Sequence, residues 1–135
     1  MHANNANKEV FCPNLSYVVT GACYEVHNEL GRFSRESQYG DLLEQKFVTF
    51  QLSCKREYVK DKSGNRLDFL ISGMDGELVL EIKAKPFILK PDYYQLQRYL
   101  QSTGIKLGLL VNFRNQFIKP LRIVRIDTDA RRKFV

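Results

Sequence analysis

No apolar run in this chain approaches the roughly 20 residues that span a bilayer, so no membrane partner is expected. The opening MHANNANKEV has no apolar core of the kind a signal peptide carries, and a cytoplasmic location is expected. Only three cysteines occur, Cys12, Cys23 and Cys54. Their odd number and wide spacing exclude a zinc signature and a disulfide framework, leaving buried or idle thiols in a reducing compartment. There is no internal repeat, no interdomain linker and no recognisable base-reading motif. What remains is 135 residues, 44% hydrophobic and 27% charged, which suits one globular domain with a real core. The expected division is a loose Asn-rich segment over 1–12, a single domain over 13–128 and a basic tail over 129–135.

The net charge of +6 is unevenly spread. Residues 114–135 hold seven Lys and Arg against two Asp, so the rest of the chain is nearly neutral. A basic end of this kind meets phosphate backbones, and Arg114, Lys119 and Arg122 are its candidate contacts. A solvated tail that keeps the protein soluble explains the same charge.

Hydrophobic periodicity orders the elements. Pro13-Asn14 marks a helix start with Asn14 as its cap, and Leu15, Val18, Val19, Ala22, Val26 and Leu30 follow at helical spacing. Gly31 ends that helix. Glu29 falls at the angle of the apolar stripe, where a carboxylate needs a metal or, as expected here, a basic partner. Ser34 caps a second predicted helix over 35–50, with Tyr39, Leu42, Leu43, Phe47 and Phe50 on its apolar side and Glu36 in its first turn, favouring the dipole. The period then changes from helix to strand. Strands are predicted over 52–59, 66–71 and 77–84, joined by turns at 61–65 and 73–76, as an antiparallel meander. A third helix runs over 91–103, an apolar and central strand over 107–113, and a last strand over 121–126.

The meander carries a constellation. Asp68 interrupts the apolar run RLDFLI. Glu81 and Lys83 stand two apart, so they share a strand face, and the tight turn at 73–76 brings Asp68 beside them. Phosphodiester hydrolysis needs an activated water and a stabilised charged transition state. Carboxylates hold Mg²⁺ or Mn²⁺ through oxygen, such an ion lowers the pKa of bound water, and a nearby lysine orients the water or steadies charge on phosphate. Glu-x-Lys alone is weak, being common on strands and far more often only a cross-face ion pair. Asp68 at the right separation strengthens it, as do Gln95 and Tyr99, one turn apart on a helix strip expected to face the same sheet edge.

With those residues in view the chain resembles the GxxExxY proteins, small members of the PD-(D/E)xK nuclease superfamily. The segments GACYEVHNELG, RESQYGDLL, RLDFLI, LVLEIKA and QLQRYLQSTGIKLGLLVNF carry the resemblance in order, over about 15–126. One position departs from the naming motif: Phe33 stands where glycine is called for, three before Glu36. The resemblance implies a fold of mixed α and β structure, restriction-endonuclease-like, with a three-stranded antiparallel meander, a parallel strand and flanking helices. It implies metal ligation by Glu36, Asp68 and Glu81, catalytic roles for Asp68, Glu81, Lys83 and Gln95, and Tyr99 as a nucleic-acid contact. Glu25 and His27 match its Glu-Val-His segment, to which no role attaches. Lys85 is a second cation or a strand-end charge.

The expected function is a metal-dependent nuclease acting on DNA or RNA. The alternative is a catalytically inactive nuclease-like module that binds nucleic acid or a protein partner. A self-associating protein, a homodimer through Tyr93, Tyr94 and Phe117, is a third reading.

Overall fold

The computed structural model describes residues 11–59 and 66–127. The predicted turn at 61–65, the segment 1–10 and the tail 129–135 lie outside the described residues. Helices α1 (Pro13–Leu30) and α2 (Glu36–Thr49) come first. Strands β1 (Ser53–Val59), β2 (Arg66–Gly73) and β3 (Gly76–Lys83) follow, then α3 (Lys90–Thr103), β4 (Leu107–Asn112) and β5 (Leu121–Val124). All eight predicted elements are present, with ends displaced by one or two residues.

The strands form one five-stranded sheet in sequence order. Antiparallel pairing joins β1 to β2, β2 to β3 and β4 to β5. Strand β4 runs parallel to β3, because α3 carries the chain back across the sheet before β4 begins. Strand β4 is an interior strand, buried throughout, but the middle place predicted for it belongs to β3. Strand β5 stops at Val124 because the next amides leave the sheet: Arg125 donates to the Lys106 carbonyl and Ile126 to the Gln97 side chain.

Each sheet face is covered by helix. Alternation along β2, β3 and β4 sends Phe69, Ile71, Leu78, Leu80, Ile82, Leu109 and Val111 to one face. There they meet Leu15, Val19, Cys23 and Val26 of α1 and Tyr39, Leu43 and Phe47 of α2. The other face carries Val79 and Leu110 against Leu96, Tyr99 and Leu100 of α3. Helix α3 lies so close that a Cβ on Gly108 would stand 2.9 Å from a methyl of Leu96. A side chain at 108 would push the helix off the sheet.

The helix starts depart from expectation. Asn14 does not cap α1. The carboxylate of Asp75, in the β2–β3 turn, accepts the main-chain amides of Asn14 and Leu15, both at 3.0 Å. Ser34 does not cap α2 either. Arg35 is the boundary residue, and the Gln38 side chain accepts its amide at 2.8 Å. Glu29 is exposed rather than core-facing, because the stripe that is buried runs Leu15, Val19, Ala22, Cys23 and Val26. It does find its basic partner, Lys46 at 3.1 Å.

Candidate active site

The register of β2 against β3 runs from Gly73 opposite Gly76 to Phe69 opposite Leu80. One step further, side chains take over the ladder. The Asp68 amide donates to Oε1 of Glu81 at 2.9 Å, and the Ile82 amide donates to Oδ2 of Asp68 at 2.7 Å. The two carboxylates predicted to be neighbours are therefore interlocked. Beside them an open concavity of about 220 Å³ is lined by Glu36, Ser37, Arg56, Asp68 and Ile82. Glu36 reaches it from the first turn of α2, on the opposite helical layer from α3.

The electrostatics of this place are unfavourable to its own charges. Glu81 is 5% exposed. Burial pushes its carboxyl up to about 8, with the adjacent Asp68 charge second and Glu36 also contributing, against the Asp68 amide and Lys83. Burial likewise raises Glu36, helped by Asp68 and opposed by Lys83 and Lys85. Three carboxylates from three elements thus act on one another, which is the situation a bound cation relieves. Their oxygens suit a hard divalent ion. Among the described residues, however, no group of three acidic, histidine or cysteine side chains stands close enough to hold a metal. In the rotamers present, one oxygen of each strand carboxylate is turned to the main chain.

Lys83 is held from two sides. Its carbonyl accepts the Phe113 amide at 2.8 Å, and the buried Asn112 side chain clips the next segment, accepting the Lys85 amide and donating to the Lys85 carbonyl. Its ammonium lies 3.9 Å from Asp92, while Lys85 pairs with the same carboxylate at 2.6 Å. Asp92 is almost buried and also accepts the Leu89 amide at 2.7 Å, as an acid in a first turn does. Burial alone would raise its carboxyl, but that amide and the two lysines hold it below the usual carboxylate range. Asp92 and Asn112 were both missed from the sequence. The only signal for Asp92 was its place directly after Pro91 at a helix start.

Arg56 was missed too. It lines the concavity, donates to Ser37 and pairs with Asp41 and Glu44. Gly40 makes room for it, since a Cβ there would collide with the guanidinium.

Other expectations are met differently. Tyr99 is 4% exposed and packs into the α3 core against Val79 and Leu110. Its ring therefore fills that core rather than lying on the surface, and its hydroxyl accepts the Gln95 amide at 3.2 Å. The polar strip at Gln95 turns partly inward, because Tyr99 is needed to fill the second core. Arg122 is tied to α1 through Ser16 at 2.6 Å, and Lys119 is exposed. Arg114 does stand near the site, donating from Nη2 to the Ala84 carbonyl at 3.1 Å. His27 joins α1 to the chain after β4 through the Asn115 carbonyl at 2.9 Å, and Glu25 lies 4.0 Å from Lys46.

The family model described as the PD-(D/E)XK nuclease superfamily matches residues 13–126. No curated protein matches the chain. Among solved structures the chain is similar to the crystal structure of SSO0001, with 19% identity and a TM-score of 0.47 over 95% of this chain and 76% of that one. No helix among the described residues is long and apolar enough to cross a membrane.

Proposed function

The chain belongs to the PD-(D/E)XK nuclease superfamily, and on that basis we propose that it is a nuclease that hydrolyses phosphodiester bonds of DNA or RNA with Mg²⁺ or Mn²⁺. One observation carries the reading. Glu36, Asp68 and Glu81 crowd their charges together beside Lys83, at the edge of an open concavity. The spacing of Glu36 and Tyr39 supports placing it with the GxxExxY proteins.

In this reading Asp68, Glu81 and Glu36 supply the metal ligands. A bound divalent ion would lower the pKa of water and offset charge on the phosphate. Lys83 places a positive charge beside the reacting phosphate, its reach set by the Asp92 pair and its main chain by Asn112 and Phe113. Gln95 is a weaker candidate, acting on substrate only if it releases Tyr99. Arg114, Lys119 and Arg122 serve the phosphate backbone.

The test is a cleavage screen over single- and double-stranded DNA and RNA with Mg²⁺ and with Mn²⁺. Asp68→Ala, Glu81→Ala and Lys83→Ala should each remove activity by at least about a hundredfold. If all three cut as well as the parent, the activity belongs to another site. A second reading, a non-cleaving module, draws support from the absence of a ready metal cluster among the described residues. It predicts no cleavage under any of these conditions, with salt-sensitive binding that survives Lys83→Ala. Light scattering on the purified protein would test the homodimer.

A further inference from the structure

Phe33 occupies the one position where this chain departs from the family motif, and the structure gives it unusual surroundings. The ring is 75% exposed, although the loop that bears it joins two well-packed helices. The residue does not take the left-handed backbone open to glycine; that conformation falls to Gly31, at φ 75°. The loop is fixed from below by Tyr39, whose hydroxyl donates to the Gly31 carbonyl at 2.5 Å and accepts the Ser34 amide at 3.2 Å. An apolar ring held out into solvent on a rigid loop is therefore built in, rather than a loose end.

Two guanidinium groups attend the ring. The central carbon of Arg32 lies 4.9 Å from its centroid and that of Arg114 5.8 Å. The arginines are tied to each other and to the sheet: Arg32 Nε donates to the Arg114 carbonyl at 2.9 Å, and Arg114 Nη2 to the Ala84 carbonyl. Neither has a carboxylate partner among the described residues. The ring is thus a mostly exposed apolar plate with two guanidinium groups over it that no carboxylate of the described residues neutralises. It lies three residues before Glu36, and its Arg114 flank is anchored one residue past Lys83.

We propose that Arg32, Phe33 and Arg114 form a stacking platform for an unpaired base of a single-stranded nucleic acid, with the two guanidinium groups meeting the phosphates on either side of that base. The proposal rests on the nuclease reading for its substrate class and narrows it to strands with exposed bases. A base needs a flat apolar face, and its neighbouring phosphates need cations at the margin of that face. Inside a duplex each base face is already covered by its stacked neighbours, so such a ring reaches only unpaired bases or the duplex ends. The short links from Phe33 to Glu36 and from Arg114, through the Ala84 carbonyl, to Lys83 place the platform on the two segments that also supply the carboxylate site.

The chain contains no tryptophan, so Phe33→Trp creates a single reporter at the platform. It should be made in the parent and in Lys83→Ala, and titrated with short single strands of DNA and of RNA. An abasic deoxyribose-phosphate strand of equal length and a duplex complete the set. Strands with bases should quench the tryptophan, and the abasic strand and duplex should not. Phe33→Ala should weaken binding of base-bearing strands by at least about fivefold while leaving the abasic strand within about twofold. The DNA and RNA arms identify which sugar is preferred. An equal loss for the abasic strand, no quenching by bases, or a change in oligomeric state with binding intact would each overturn the platform. If base-dependent binding holds but the parent cuts nothing, the nuclease reading fails and the platform stands. If the parent cuts and Phe33→Ala changes neither cutting nor binding, the platform fails and the nuclease stands. If no nucleic acid binds at all, both fall.

Discussion

Oε1 of Glu81 accepts the main-chain amide of Asp68 at 2.9 Å, so a side-chain carboxylate substitutes for a backbone carbonyl in the sheet ladder. The strands stay joined at the point where the proposed reading places the metal ligands. Because Glu81 is buried while it does so, its charge is costly.

That cost makes stability depend on pH. The Glu81 carboxyl moves from an ordinary 4.5 to about 8 on folding, so the folded protein binds this proton more tightly than the unfolded one. Its contribution is complete below about pH 4.5 and is lost as pH rises through 8. Without metal, the melting temperature should fall across that window. Glu81→Gln should flatten the fall, and Mg²⁺ or Mn²⁺ should raise the parent's melting temperature at pH 8 but not the variant's. Calorimetry at several pH values decides it, and a flat profile in the parent would count against a buried, charge-stressed Glu81.

Asp92 titrates in the opposite sense. Its carboxyl is held low in the fold, so the stability it supplies is present above the ordinary carboxylate value and is lost as pH falls through the folded value. Asp92→Ala removes the partner of both Lys83 and Lys85 and the acceptor of the Leu89 amide. Denaturant unfolding should show a loss of about 1–3 kcal/mol. In the cleavage assay kcat should fall more than KM rises, because Lys83 is left in place without a fixed direction. An unchanged kcat would mean that the pair has no part in aiming the lysine.

Tyr39→Phe deletes one hydroxyl that serves two main-chain groups of the α1–α2 loop. The ring stays stacked on Phe113, 4.3 Å between centroids, so packing is kept. Leaving those groups unpaired should cost about 1–3 kcal/mol. Faster hydrogen exchange at Gly31 to Glu36, with the sheet unaffected, would locate the effect. Exchange that rises everywhere would show a global loss instead.

Asp75→Ala tests the cap borrowed from the β2–β3 turn. Hydrogen bonds from the Asn14 and Leu15 amides, the first of them the largest influence, hold this carboxyl below its usual range although burial works against them. Removing it should lower the melting temperature modestly and fray the first turn of α1. Protection of the amides at 14–16 by hydrogen exchange would report this directly, and undiminished protection would mean that another group caps the helix.

The order and kind of every element were determined by local periodicity, as were the shared face of Glu81 and Lys83 and the nearness of Asp68 across a tight turn. Those are short-range consequences of 3.6- and 2-residue repeats, which a single chain displays openly. The tertiary structure alone decided which helices cover which face, and with that the fate of Tyr99, drawn into a second core that α3 had to fill. It alone brought Asp92 to Lys83, Asp75 to the start of α1 and Arg114 to Phe33. Partners so far apart along the chain are chosen by packing, and no repeat in the sequence records them. The carboxylate pair with which the constellation began was a strand aspartate beside a common triplet. Folding made it an interlocked, charge-stressed pair, because burial removed the water that would otherwise have separated the two.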